Sequence, residues 1–377
     1  MIKLGILTRR AGFNHGSSLQ AYAMARFLTL AGYNCNIINY DEYSGHPLWR
    51  IRPFVENIQW KICKHLPTAL CPAKHRYLSI RNAQYGKFQQ FEKDYLPLTP
   101  NACRNFNQLR KASEGFDVLV CGSDQIWSPL LYDPVYMFGF LEDELEQRTV
   151  TYAPSIGVSD KSLISKEQAD LLRKIDCISC REQTGSEIIE DIVHRPVPVV
   201  LDPTLMLPEH EWDKLAFSVK PIETEPYILC YFLGNNIPQS YIDRLNRKLG
   251  CKILNIQMFN RLNELNSHRE ITNIGPCEFL NLVKYASWIC TDSFHATIFS
   301  YIFKRRVSVF ERFLNTERDN QNSRIYTLLD ILKIQYVLTS DNDFPDLIRQ
   351  IDYQQSEISL KEWQRKSIDY INISING

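Results

Sequence analysis

The amino-acid sequence predicts an α/β protein built from two Rossmann-like domains that face each other across a cleft. Short apolar runs alternate with segments whose apolar residues recur at helical spacing, which is typical of parallel sheets covered by helices. The 377 residues exceed the length of one ordinary core, so two domains are expected. Facing α/β domains of this kind indicate a GT-B-like architecture, by analogy with other proteins of that layout.

The first domain is predicted over residues 1–170. It opens with an apolar strand at 2–7, and apolar residues at helical spacing follow until Gly32 ends that helix. A second strand at 35–40 completes a βαβ unit. Further strands are predicted at 117–121 and 149–153.

The second domain is predicted over residues 171–345. Its strands are expected at 175–180, 197–201, 227–232, 251–256, 285–290 and 306–310, with helices at 238–249, 276–285 and 295–303. Residues 346–377 are predicted to form a polar helical tail that packs back across the cleft.

Charge is balanced over the chain, with 43 basic and 43 acidic residues, which argues against a nucleic-acid partner. Residues 45–90 are locally basic, because their Lys and Arg residues are opposed by a single acid, Glu56. Two hypotheses fit this stretch: a helix that rests on an anionic membrane surface, or a solvated insertion packed on the first domain. The N-terminus has no signal-like apolar core, and no run reaches about 18 apolar residues. We therefore expect a cytoplasmic protein, either free or peripheral at the inner face of the membrane.

The 11 cysteines give no clean disulfide framework, because their number is odd. Cys177 and Cys180 form the only CxxC pair, and no second pair completes a zinc site. The sequence favours buried thiols here, and no metal site is predicted.

The segment around His295 is the most informative candidate site. An apolar strand is predicted before it and an apolar helix after it, so Asp292 or Ser293 is placed to cap that helix. His295 then lies in the first helical turn at the carboxyl edge of a strand, where ligands bind in open α/β sheets. Such a histidine is suited to proton transfer on an anionic substrate. A plain capped junction is the alternative interpretation.

Polar side chains also follow three strands of the first domain. They are Asn14, His15, Gly16, Ser17 and Gln20 after the first strand, Ser123, Asp124 and Gln125 after the third, and Ser155 after the fourth. The first of these loops is neither GxGxxG nor a Walker A loop, so dinucleotide or ATP binding has little support. These amide, carboxylate and hydroxyl groups would line one side of a cleft, and they are suited to binding a polyol.

Two charged residues follow predicted strands of the second domain. Arg181 follows the strand at 175–180, and a guanidinium suits carboxylate or phosphate through paired hydrogen bonds. Asp202 follows the strand at 197–201. A surface salt bridge for Arg181 and a structural Asp-Pro turn for Asp202 are the alternatives.

In their order along the chain, these segments resemble the polysaccharide pyruvyl transferase family. The matching segments are Asn14-His15-Gly16 with Leu19-Gln20-Ala21, Gly122-Ser123-Asp124-Gln125-Ile126-Trp127, Tyr152-Ala153-Pro154-Ser155-Ile156-Gly157, Arg181-Glu182, Leu201-Asp202-Pro203-Thr204-Leu205, Ser293-Phe294-His295, and Ser323-Arg324-Ile325 with Leu328-Leu329. Each segment is short, and their common order over nearly the whole chain gives the resemblance its weight.

The resemblance implies a GT-B-like fold and a reaction without a cofactor. The enolpyruvyl part of phosphoenolpyruvate is transferred to a saccharide, two hydroxyls become a cyclic pyruvate ketal, and phosphate is released. By this resemblance, His295 transfers the proton, and Arg181 binds the carboxylate and phosphate of the donor. Substrate contacts are expected from the polar residues after the strands and from Asp202, Ser293 and Arg324.

One position departs from the family. Better-studied members have an arginine two residues before the histidine, where this chain has Ser293. A second contact for phosphoenolpyruvate is therefore missing locally. Candidates to replace it are Arg305, Arg306, Arg312 and Arg324.

The implied acceptor is a precursor of a surface polysaccharide such as a capsule or exopolysaccharide, with a lipid-diphosphate-linked form as one option. Two other functions stay open. A GT-B-type glycosyltransferase would use a nucleotide sugar, although no clear acidic ribose contact is evident. A non-catalytic saccharide-binding protein is favoured by Ser293, whereas the presence of both His295 and Arg181 argues against it.

Overall fold

A computed structural model shows two parallel β-sheets, each flanked by helices. It describes residues 1–10, 13–42, 72–141, 147–258, 264–313, 320–334 and 351–377. Residues 43–71, which hold much of the basic stretch at 45–90, lie outside the described residues, so its membrane hypothesis stays a prediction there.

The first sheet has the strand order β2-β1-β3-β4, and every pairing is parallel. Its strands are β1 (Lys3–Leu7), β2 (Asn34–Ile37), β3 (Val118–Cys121) and β4 (Arg148–Thr151). Single bridges extend both edges of the sheet. Leu98 pairs with Ile37 of β2, Cys103 pairs with Tyr40 after β2, and Cys177 pairs with Val150 of β4. Cys180 in turn pairs with Val199. The sheet is therefore wider than its regular strands.

These bridges correct two strand assignments. The segments at 175–180 and 197–201 were expected to open the second sheet, but both pair with the first sheet. Alternating apolar residues predict that a segment is a strand, whereas its partner depends on contacts far away in sequence. The first sheet consequently continues past residue 170, the predicted end of the first domain, and carries Arg181 and Asp202 at its edge.

Five α-helices lie in the described part of the first half, and side chains cap three of them. They are α1 (His15–Leu30), α2 (Pro72–Tyr95), α3 (Phe106–Ser113), α4 (Lys166–Lys174) and α5 (Gln183–Val193). Asn14 caps α1, since its Oδ1 accepts from the backbone N–H groups of Gly16 and Ser17. Ser165 and Gln168 form a capping box at α4.

The second sheet has the order β7-β6-β5-β8-β9 and is also parallel throughout. Its strands are β5 (Tyr227–Tyr231), β6 (Lys252–Ile256), β7 (Arg269–Ile271), β8 (Trp288–Thr291) and β9 (Arg306–Val309). The helices around it are α6 (Glu209–Ala216), α7 (Gln239–Leu249), α8 (Pro276–Tyr285), α9 (Phe294–Ile302) and α10 (Ser323–Ile331). The central strands β5 and β8 are fully buried, as expected for parallel strands covered on both faces.

Both sheets reverse their strand order in the middle, between β1 and β3 and between β5 and β8. Crevices at the carboxyl ends of such strand pairs are the usual ligand sites of doubly wound sheets. The two parallel α/β halves confirm the predicted fold class, two Rossmann-like units in a GT-B-like arrangement.

The two halves are held together by a shared apolar core and by two long helices. Trp212 packs against Tyr22 of α1 and Phe299 of α9, with ring centroids 5.8 and 4.8 Å apart. Helix α2 bonds to the second half through Gln84, whose amide donates to the backbone of Gln257.

The C-terminal helix α11 (Tyr353–Asn376) returns to the first half. The Ser367 hydroxyl accepts from the backbone N–H of Leu201 at 3.0 Å, and the Tyr370 hydroxyl donates to the Thr151 carbonyl at 2.8 Å. None of the helices in the described ranges combines the length and apolar character needed to cross a bilayer.

We predict that Ile371→Ala lowers the free energy of unfolding by about 2–4 kcal/mol, because the side chain is 1% exposed within the core shared by both halves. Ile373→Ala is the matched control on the same helix, since Ile373 is 71% exposed and its loss should cost less than about 0.5 kcal/mol. Urea unfolding measures both values. Equal effects would show that α11 does not complete the core.

Candidate active site

The N-termini of α1 and α9 meet between the two halves, at the edges where ligands are expected. Gly16 in α1 lies against the ring of His295 in α9, and a Cβ at Gly16 would be 2.2 Å from Nδ1 of that ring. Only glycine permits this approach. His295 is placed by Ser293, whose hydroxyl caps α9 by accepting from the backbone N–H of Ala296.

Asp202 is the centre of the polar contacts. Its Oδ2 accepts from Nη1 of Arg181 at 2.8 Å and from the Ser123 hydroxyl at 3.1 Å, and it lies 3.5 Å from Nε2 of His295. Its Oδ1 accepts from the backbone N–H and the hydroxyl of Thr204. The Asp202 carboxylate therefore links Arg181 and Ser123, which follow strands of the first half, to His295 of the second half.

The Asp202 side chain is fully buried, yet its environment favours the ionised form. Burial by itself would raise its pKa, but His295, Arg181 and the Thr204 hydroxyl lower the pKa far below the usual range. A dry, ionised carboxylate at this position holds the charged groups around it in fixed places.

Arg181 is buried and retains hydrogen-bonding capacity. Burial would lower its pKa, but Asp202, Asp124 and Glu182 raise the pKa above the ordinary value, so the group remains a cation. Its Cζ lies 4.1 Å from the ring centroid of Phe294. Within the part of the chain that the structure describes, Nε and Nη2 of Arg181 have no hydrogen-bond partner. A buried guanidinium with two free nitrogens is equipped to hold an anionic ligand.

The polar residues of the first half form a network beside this group. The Ser17 hydroxyl donates to Oδ2 of Asp124, and the amide of Gln20 donates to Thr8, Arg9 and Ser17. Oε1 of Gln20 accepts from the backbone N–H of Ser123. Burial would raise the pKa of Asp124, but His295, Arg181 and Ser17 lower it overall. Asp124 is thus a second buried anion close to His295.

A third set of contacts lies beside Arg181. Oε1 of Glu182 accepts from the Ser155 hydroxyl at 2.9 Å and from the backbone N–H groups of Ile156 and Gly157. Gln125 accepts from Nη1 of Arg324 at 3.3 Å. Ser155 therefore supports the loop through Glu182, whereas Gln125 and Arg324 connect the two halves.

Most of the predicted residues thus come together: Ser17, Ser123, Asp124, Gln125, Arg181, Asp202, Ser293, His295 and Arg324, with Asn14, Gly16, Gln20 and Ser155 supporting them. His15 lies differently. Its ring is stacked between Phe279 and Phe88, with centroids 4.9 and 5.0 Å away. A role for His15 in binding substrate stays a prediction, and its observed contacts are with the core between the halves.

Two further residues also belong to this region, and one of them, Arg312, is among the candidates to replace the missing family arginine. Glu182 orders the loop at Ser155, and Arg312 donates from Nη2 to the backbone carbonyl of Asp292 at 3.0 Å. Glu182 had no predicted role, and its position directly after Arg181 was the available signal. A surface cavity of about 530 Å³ lies elsewhere, against β7 and α8, and its lining does not include His295 or Arg181.

Two Rossmann-like halves that enclose buried histidine, arginine and carboxylate groups define an α/β protein of the GT-B-like class. A model of the polysaccharide pyruvyl transferase family matches residues 14–312, and the chain belongs to this family. The resemblance seen in the sequence is thereby confirmed. A comparison with curated proteins finds no match.

Several solved structures are similar in fold. The UDP-GlcNAc 2-epimerase of Neisseria meningitidis bound to UDP-GlcNAc is 10% identical with a TM-score of 0.49, over 97% of this chain and 94% of its own. The S. aureus protein MnaA with UDP is 12% identical with a TM-score of 0.49, over 100% and 97%. The UDP-GlcNAc 2-epimerase of Methanocaldococcus jannaschii with UDP-GlcNAc and UDP is 14% identical with a TM-score of 0.48, over 100% and 93%. At these values the similarities do not bear on function.

We predict that Gly16→Ala lowers activity at least tenfold and destabilises the protein by about 1–3 kcal/mol, because the new methyl group would overlap the His295 ring. Gly86→Ala in α2 is the control. No atom lies within 4 Å of its added Cβ, so the substitution should be neutral or stabilising by up to about 1 kcal/mol. Thermal unfolding and turnover of both variants check this, and an unaffected Gly16→Ala enzyme would contradict the contact.

We predict that His15 makes the fold sensitive to acid. Burial lowers its pKa from 6.5 to about 3, so below pH 6.5 the unfolded chain binds a proton that the folded chain does not. The free energy of unfolding should therefore fall by up to about 1.4 kcal/mol per pH unit from this group as pH decreases from 6.5 toward 3. His15→Phe should remove that slope, whereas His194→Asn at an exposed helix end should retain it. Urea unfolding between pH 7 and 4 measures the slope, and an unchanged slope in His15→Phe would rule out this assignment.

Proposed function

We propose that the protein transfers the enolpyruvyl group of phosphoenolpyruvate to a saccharide and forms a cyclic pyruvate ketal. One observation carries the proposal: a buried arginine with two free nitrogens, Arg181, lies beside the same carboxylate as His295. Such a pair supplies a contact for an anionic donor and a group that transfers protons. Family membership supports pyruvyl transfer in general, and the donor and the ketal product are part of the proposal.

In the proposed reaction, His295 in its protonated form donates a proton to the methylene carbon of phosphoenolpyruvate. The carbon–carbon double bond supplies the electron pair for the new C–H bond, and C2 becomes an oxocarbenium-like centre. Oδ2 of Asp202 lies 3.5 Å from Nε2 of His295 and orients the imidazole for this transfer. Arg181 holds the donor's negative charge while positive charge develops at C2.

Two hydroxyls of the sugar then bond to C2. After the first attack, the bond between C2 and the phosphate oxygen breaks and its electron pair leaves with phosphate. The second hydroxyl closes the ketal on the same carbon. Of the two hydroxyl protons, one returns to His295 and the other leaves on the phosphate, so that protons and charge balance.

The acceptor is proposed to bind on the first half. Ser17, Ser123, Asp124 and Gln125 supply hydroxyl, carboxylate and amide groups on that half. Asp124 is the member whose charge interacts with His295. These groups match the donors and acceptors of a polyol. A surface-polysaccharide precursor, free or linked to a lipid diphosphate, is the proposed acceptor, and the inner face of the membrane is the proposed location for the linked form.

The proposal is tested by phosphate release from phosphoenolpyruvate, measured with galactose-, mannose- and glucose-containing acceptors and without any acceptor. Mass spectrometry should show an acceptor-dependent gain of about 70 Da, the mass expected for a pyruvate ketal by this proton-transfer route. No release with any acceptor, together with no thermal shift by phosphoenolpyruvate, would favour a binding protein or another donor.

We predict that His295→Ala abolishes phosphate release, by at least about 100-fold as expected for loss of a general acid, while the protein stays folded. His210→Ala is the matched control, because His210 is exposed on α6 and its loss should leave turnover unchanged. Turnover and circular dichroism are measured for both variants. Full activity of His295→Ala would remove the residue from the mechanism.

A further inference from the structure

Arg324 is a buried cation whose observed partners are all neutral. It is 7% exposed and lies in the first turn of α10. Nε donates to the Gln321 carbonyl at 3.1 Å, Nη1 to Oε1 of Gln125 at 3.3 Å, and Nη2 to the Gln321 side chain at 3.5 Å. Among the described residues, no carboxylate lies within ion-pair distance of this guanidinium. Burying a charge without a counter-ion is costly, so the arrangement requires a reason.

The surroundings of Arg324 add further positive charge. Burial lowers its pKa to about 9, and the neighbouring guanidiniums of Arg312 and Arg181 act in the same direction. Glu182 and Asp124 oppose them only in part. Arg312 differs from Arg324, because it lies 3.5 Å from Oδ2 of Asp292 and so has a carboxylate of its own. Arg181 likewise has Asp202 at 2.8 Å. Of these three guanidiniums, only that of Arg324 has no carboxylate within ion-pair distance among the described residues.

Helix packing brings these two arginines together across the halves. Helix α10 of the second half packs on α5, which begins two residues after Arg181. The backbone N–H of Gln183 in α5 donates to the Thr327 hydroxyl of α10 at 3.4 Å. Gln125 of the first half also contacts α10, because its Oε1 accepts from Nη1 of Arg324. Its Nε2 is buried without a partner in the described part of the chain. Gln125 and Arg181 thus both keep buried donors that have no partner in the described part of the chain.

We infer that Arg324 and Arg181 together hold the anionic end of phosphoenolpyruvate, with Gln125 as a neutral third contact. This inference rests on the proposed function. Arg324 then supplies the second cationic contact that Ser293 does not provide, from a different helix of the same half. Its neutral partners are weak enough to be exchanged for a carboxylate or phosphate oxygen, because two of its three hydrogen bonds are 3.3 Å or longer.

The test is equilibrium binding to the full-length protein, with two probes that need no turnover: phosphoenolpyruvate and inorganic phosphate. Calorimetric titration of Arg324→Gln should show at least a tenfold loss of affinity for both probes, as expected when a charge-assisted hydrogen bond is removed. Arg181→Gln should show a loss of the same order. Arg365→Gln, which removes an exposed arginine of α11, is the control and should bind as the wild type does.

The melting temperature of Arg324→Gln without anion should equal or exceed that of the wild type, because an uncompensated buried charge is removed. If this variant does not fold, Arg324→Lys keeps the charge but not the paired geometry, and it should bind each probe about threefold to tenfold more weakly. Wild-type affinity for both probes in a folded Arg324 variant would overturn the inference. Loss of affinity for both probes, combined with a wild type that never releases phosphate, would support this anion contact and overturn the proposed function.

Discussion

The buried carboxylate of Asp202 is the interaction on which the site depends. It contacts a guanidinium, a hydroxyl and an imidazole that come from three distant parts of the chain. Two of these partners carry or can carry positive charge in a place where water does not reach. Without the carboxylate, their mutual repulsion and their desolvation would act together against the closed arrangement. The charge of one side chain therefore sets the positions of Arg181 and His295.

The backbone makes this convergence possible. Parallel strands end at a common edge, and both sheets direct that edge toward the junction of the halves. Helices α1 and α9 begin there, and their capped N-termini favour negative charge nearby. Asp124 and Asp202 occupy that region, which is consistent with the low pKa of both carboxylates. Gly16 contributes sterically, because a side chain at this position would separate α1 from the His295 ring.

Much of the fold and of the site follows from local sequence. Strand–helix alternation predicts both sheets, and polar residues after strands predict the residues that surround Asp202, because the ends of parallel strands share an edge. Partner choice does not follow from local sequence. The segments at 175–180 and 197–201 have strand character, but only long-range packing assigns them to the first sheet. The stacking of the His15 ring between two phenylalanines from α2 and α8 also depends on long-range packing that local sequence does not show.

The position of Arg324 shows why motif-by-motif comparison understates such a site. Chemistry requires a positive charge at a point in space, and it does not require that the charge come from a given position in the sequence. An arginine at position 293 would enter from the start of α9, while Arg324 enters from α10, which packs on α5 beside Arg181. Both helices belong to the second half. Loss of a cation from one helix is therefore compatible with an anion site, provided that a neighbouring helix places an uncompensated guanidinium there.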